Sequence, residues 1–175
     1  MDLQEFLETS TGNWFTQRTS YQLVEGQCNN NKAEITIEKL PFDHPKVVKL
    51  CEQFGISSHL NCGGTQIFWD NSVDWGQVKE KGSSLLVFIP DQSNPHTGQI
   101  LSQTNKIGAQ ILQGTYILAQ DESLTLITES ENQVIEERQW FVSPNLRLRS
   151  SICKVDNDHA ITSFYSEIRR MTANS

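Results

Sequence analysis

The chain has 175 residues, 37% hydrophobic and 20% charged, with a formal net charge of −7. That length suits one domain, residues 1–175, with a real core, and no linker, repeat or low-complexity stretch divides it. The acidic balance argues against nucleic acid as the main partner, since phosphate binding needs a basic face. No run approaches the roughly 20 apolar residues of a membrane span, and Met1-Asp2-Leu3-Gln4-Glu5 lacks the regions of a signal peptide, so an intracellular protein without a membrane partner is expected.

Asp2 to Leu7 forms one or two helical turns, with Asp2 as N-cap and Leu3, Phe6 and Leu7 on one face. So short a helix must pack on something, and plugging one end of a barrel is a suitable role. Gly12-x-Trp14 opens a first strand to about Val24, followed by a polar turn over Glu25 to Asn31 and a second strand over Ala33 to Glu38. Asp43-His44-Pro45 starts a second helix, with Asp43 as cap, an apolar stripe from Val47 to Phe54, and Gly55 as its end. This helix is a candidate cover for outer-wall leucines or a cavity mouth.

Gly64 to Trp69 reads as a strand, Asp70-Asn71-Ser72 as a turn, and Val73-Asp74-Trp75 as the start of the return. Strands follow over Ser83–Ile89, Gly98–Gln103, Ala109–Ala119, Ser123–Ser130, Val134–Val142, Leu146–Val155 and Ala160–Arg170, joined by short turns that include Ser-Pro-Asn and Asp-Asn-Asp. The pattern predicts an all-β, closed antiparallel up-and-down barrel of about eight to ten strands with two short helices, able to hold one small ligand.

Leu146-Arg147-Leu148-Arg149 alternates with period two, so both arginines share one face of their strand. Periodicity alone favours leucines in the core and arginines in solvent. The alternative turns the arginines into a cavity, where two planar forks clamp a dianion, and requires something to cover the leucines. Cys28, Cys51, Cys62 and Cys153 lack C-x-x-C spacing, and His44, His59, His96 and His159 lack ligand spacing, so no metal site is expected. No Ser-His-Asp or Cys-His set is apparent.

The run Glu136-Glu137-Arg138-Gln139-Trp140-Phe141-Val142-Ser143-Pro144-Asn145-Leu146-Arg147-Leu148-Arg149-Ser150-Ser151 resembles the S/U-type phycobilin lyases, the CpcS/CpeS family. The resemblance continues at Gly12 to Ser20, Trp69 to Trp75, Gly82 to Asp91 and Ser166-Glu167-Ile168-Arg169, nearly the whole chain. It implies a lipocalin-like (calycin or fatty-acid-binding-protein-like) fold in which a terminal arginine, Arg169 or Arg170, lies over Trp14. It also implies a lyase that attaches an open-chain tetrapyrrole to a phycobiliprotein cysteine through a thioether bond. Phycocyanobilin is the expected chromophore, a substrate rather than a cofactor, and no cofactor is expected.

By the same resemblance Glu137 is the catalytic carboxyl facing the tetrapyrrole, and Arg147, Arg149 and Ser151 contact the ligand. Trp75 is a pocket or mouth residue, Trp69 is a wall of the bilin pocket, and Arg18 is a third possible cation. Glu137 has an ordinary alternative as a salt-bridge partner of Arg138 or another surface cation. The implied partners are a bilin, an apo-phycobiliprotein subunit, and a homologous lyase subunit or second copy. The expected location is the cyanobacterial cytosol, or the plastid stroma if algal. A non-catalytic carrier of bilins or fatty acids, or the partner subunit of a two-chain lyase, are the rival functions. Tyr21-Gln22 departs from the histidines common in relatives and leaves that pocket edge open.

Overall fold

The computed structural model describes residues 1–105, 110–155 and 159–171. Ten strands run in sequence order: β1 (Gly12–Gln22), β2 (Cys28–Leu40), β3 (Gly64–Asp70), β4 (Lys81–Pro90), β5 (Thr97–Asn105), β6 (Gln110–Leu118), β7 (Leu124–Ser130), β8 (Gln133–Ser143), β9 (Leu146–Val155) and β10 (His159–Arg169). Each pairs antiparallel with its neighbours in sequence, and β1 pairs with β10 to close a barrel. Closure leaves no free sheet edge, which suits a chain of successive hairpins. This is the expected all-β, lipocalin-like barrel with two short helices. Ala109 and the Asp-Asn-Asp turn at 156–158 lie outside the described residues.

Helix α1 (Leu3–Ser10) starts with a capping box: Asp2 accepts from the Glu5 amide while the Glu5 side chain accepts from the Asp2 amide. Its apolar face enters the barrel, where Leu3, Phe6 and Leu7 pack with Phe88, Ile100, Tyr116 and Leu126. Trp14 lies fully buried behind it and donates from Nε1 to the Ser10 carbonyl at 2.9 Å. The Arg169 guanidinium stacks over the Trp14 ring at 4.2 Å and donates to the carbonyls of Thr9 and Thr11, tying the last strand to the helix end. Gly12 adopts φ +128°, and a Cβ there would lie 2.7 Å from an Arg169 nitrogen, so the residue two before Trp14 must be glycine.

Helix α2 (Pro45–Gln53) covers apolar outer-wall residues as expected, but differs in its cap and in which leucines it covers. The residue before a proline is held extended, so His44 is the N-cap, its Nδ1 accepting from the Lys46 amide, and Asp43 stands one position early. Val47, Leu50 and Cys51 pack on Leu85, Val87, Ile89 and Leu101, the outer face of β4 and β5. The helix therefore does not cover Leu146 and Leu148. These stay half-buried on the outer wall, with Leu148 opposite Trp140 on β8. Val73-Asp74-Trp75 is likewise not a strand. Asn71 takes the Glu80 amide and the Val78 carbonyl on its side chain, and Asp70 takes the Ser72 amide, so residues 71–80 form a hydrogen-bonded loop.

Candidate functional site

Inward-facing residues of nearly every strand surround a cavity of about 610 Å³, within the range of small-molecule sites. Helix α1, Trp14 and Phe141 seal one end; Phe141 packs on Phe6 at 5.1 Å and on Trp14 at 6.2 Å between ring centroids. Asn71, Gln77 and Val78 of the β3–β4 loop line the opposite, open end. The middle is apolar on one side, with Ile35, Ile67, Trp69, Leu86 and Ile100, and polar on the other, with Arg18, Glu137, Arg149 and Tyr165. The Trp69 ring lies where a side chain on Gly82 would be, with its Cζ2 only 2.1 Å from an added Cβ. A glycine on β4 thus gives this indole its place in the wall.

Strand register assembles the polar side. Arg18 on β1 stands opposite Tyr165 on β10, which stands opposite Arg149 on β9, then Gln139 on β8. One row deeper, Thr16, Glu167, Arg147 and Phe141 align in the same way. The arginines of β9 therefore turn inward and the leucines outward, against the plain reading of alternation. A buried carboxylate makes this tenable. Glu167, fully buried, contacts Arg147 Nε at 2.6 Å through Oε2 and Arg149 Nη2 at 3.1 Å through Oε1. Burial pushes its carboxyl pKa up, but the two guanidinium groups outweigh that and hold it below the ordinary value.

The two arginines have different surroundings. Arg147 is 4% exposed, wedged between Glu167 and the Trp14 ring at 5.2 Å, and does not line the cavity. Burial is the largest influence on it and lowers its pKa below the usual arginine value. Arg149 lines the cavity with its guanidinium 3.9 Å over the Tyr165 ring and its Nη1 3.1 Å from Glu137 Oε2; its buried Nε has no hydrogen-bond partner among the described residues. Burial opposes its charge, but Glu137 and Glu167 outweigh burial and raise its pKa. Arg18 also lines the cavity. It donates from Nη2 to Asn31 at 2.9 Å, and its buried Nε has no hydrogen-bond partner among the described residues.

Glu137 accepts from Gln139 Nε2 at 2.7 Å as well as from Arg149, whereas Arg138 points outward to Asp121 and Ser123. The salt-bridge partner of Glu137 is thus an internal arginine rather than its sequence neighbour. Ser151, opposite Glu137 in register, is half-buried one row nearer the open end. Trp75 stands apart from the rest: it is 91% exposed on the β3–β4 loop and contributes nothing to the cavity wall. Glu167 and Tyr165 were not singled out from sequence. Their signal is positional, since both alternate with Arg169 on the strand that must lie beside β9. Among the described residues no group of three His, Cys, Asp or Glu could hold a metal.

A closed ten-strand antiparallel barrel with one sealed end, one open end and paired charges around a cavity is a lipocalin-like barrel. The model of the CpeS-like protein family matches residues 2–170, and the chain belongs to that family of chromophore lyases. The chain is 40% identical to the chromophore lyase CpcS/CpeS of Thermosynechococcus vestitus, over 97% of this chain and 93% of that one. It is 31% identical to the phycocyanobilin lyase subunit CpcS of Picosynechococcus sp., over 98% and 88% of the two chains. The S-type phycobiliprotein lyase CPES of Guillardia theta superposes with a TM-score of 0.84 at 25% identity, covering 98% of this chain and 94% of that one.

Proposed function

We propose that the protein binds phycocyanobilin in this cavity and joins it by a thioether bond to a cysteine of an apo-phycobiliprotein subunit, in the cytosol of a cyanobacterium. The observation that carries this reading is the inward Arg149, which lines the cavity, lies on Tyr165 and stands beside Glu137. A bilin brings two propionates, four polar nitrogens and a flat conjugated body. Arg149 and Arg18 offer guanidinium donors to the propionates, by pairing that lysine would not reproduce. Trp69, Ile67 and Leu86 supply flat apolar wall.

The chemistry is an addition: the acceptor S–H bond breaks, a C–S bond forms at the ring-A ethylidene, and the hydrogen ends on the chromophore. No redox partner is needed. The nucleophile belongs to the acceptor, so this chain holds the bilin, excludes water and relays a proton. Glu137, hydrogen-bonded to Gln139 and Arg149 at the cavity wall, is the carboxyl positioned for that relay.

Absorbance titration with phycocyanobilin tests the site. Arg149→Ala removes a charge-assisted contact of roughly 1.5–3 kcal/mol, so affinity falls by about one to two orders of magnitude. Unchanged affinity in Arg149→Ala and Arg18→Ala alike would place the bilin elsewhere.

A further inference from the structure

A tryptophan that is 91% exposed yet sits on a loop fixed at several points has no role in the cavity or the core. The β3–β4 loop is pinned by the two Asn71 side-chain bonds, by Lys79 Nζ donating to the Asp74 carbonyl at 2.6 Å, and by Asp74 accepting from the Lys32 amide at 2.8 Å. Beside it in strand order, the β1–β2 turn carries Leu23 and Val24, 55% and 64% exposed. Both lie at the open end of the barrel, because β1 starts at the sealed end and β3 ends beside the cavity mouth. Exposed apolar side chains are ordinary when scattered. Here all three stand on turns at the same end of the barrel, around the opening through which a bound ligand meets its acceptor.

We infer that Trp75, Leu23 and Val24 form a docking collar for the acceptor protein, a folded subunit whose reactive cysteine sits in a partly apolar surface. The inference rests on the lyase reading above. An aromatic anchor on a preorganised loop is the residue type that dominates protein interfaces, at low entropic cost on binding. The charge balance favours a protein over an anionic membrane: the chain carries a net charge of −7, and at this end Glu25, Asp74, Glu80 and Glu131 stand against Lys32, Lys79 and Lys154, which gives no basic face for lipid headgroups. The collar thereby separates two tasks, with the cavity choosing the chromophore and the rim choosing the protein that receives it.

Steady-state transfer from the bilin-loaded chain to an apo-phycobiliprotein subunit tests this, comparing the parent with Trp75→Ala and Leu23→Ser. Phycocyanobilin affinity by absorbance titration stays within about twofold, KM for the acceptor subunit rises about tenfold or more in Trp75→Ala, and kcat holds. Addition of 2-mercaptoethanol to the bound bilin proceeds at the parental rate, because a small thiol needs no collar. A parallel loss of bilin affinity overturns the proposal by making Trp75 a ligand contact, and an unmoved acceptor KM overturns it outright. Binding of the parent, but not Trp75→Ala, to phosphatidylglycerol vesicles would reassign the collar to a membrane, and loss of a dimer in light scattering would reassign it to a second copy. If the parent chain transfers nothing while still binding bilin, the lyase reading falls and the collar with it.

Discussion

Arg147 and Arg149 differ by two positions and share a face, yet their substitution should have unlike consequences. Arg147→Ala leaves Glu167 fully buried with one of its two cations gone and opens a void beside Trp14. Breaking a buried pair by removing one partner costs about 3–5 kcal/mol. Urea unfolding of Arg147→Ala should show that loss, while Arg149→Ala, which also takes a cation from Glu167 but opens onto the cavity where water can enter, should lose less stability and more bilin affinity. Equal stability of the two variants would show that Arg147 does no more structural work than Arg149. The sequence could show that both arginines share a face. That both meet Glu167 while only Arg149 reaches the cavity depends on the register of β9 with β10, a partner about twenty residues further on.

The elements divide the same way. Strands were legible wherever apolar and polar residues alternate, and Leu146–Val155 agrees at both ends. The loop at 71–80 was misread because Val73-Asp74-Trp75 has strand composition, while the side chains of Asp70 and Asn71 take the backbone partners a strand would need. The role of α1 was legible from its length and apolar face. Its plug predicts that Phe6→Ala, which removes a fully buried ring between Phe141 and the barrel interior, costs about 3–5 kcal/mol. Calorimetric or urea midpoints measure it. A loss below about 1 kcal/mol would mean the barrel holds itself shut without the helix.

At the scale of the whole molecule, the buried charge network ties stability to pH. Glu167 has a folded pKa below its ordinary 4.5, so its contribution is fully present above that value and is lost as pH falls through 4.5 toward the lowered one. Asp70, drawn down to about 2 by Lys81 and Ser72, has the same sign, though it is exposed and screened by salt. The urea midpoint should therefore be flat near neutrality and decline below about pH 4.5, and the gap between the parent and Glu167→Gln should narrow over that range. A gap that stays constant down to pH 3 would mean Glu167 is not ionised between its arginines.

The central claim is that this barrel both holds a bilin and delivers it, with Glu137 acting in delivery. Its most direct test is covalent adduct yield on a phycobiliprotein β-subunit, read by bilin fluorescence on a denaturing gel at saturating phycocyanobilin. The parent chain should label the subunit. Glu137→Gln, which keeps the shape and a hydrogen bond but cannot exchange a proton as a carboxyl does, should bind bilin and label poorly. Labelling by Glu137→Gln at the parental level once saturated would contradict the relay, and no labelling by the parent would contradict the account as a whole.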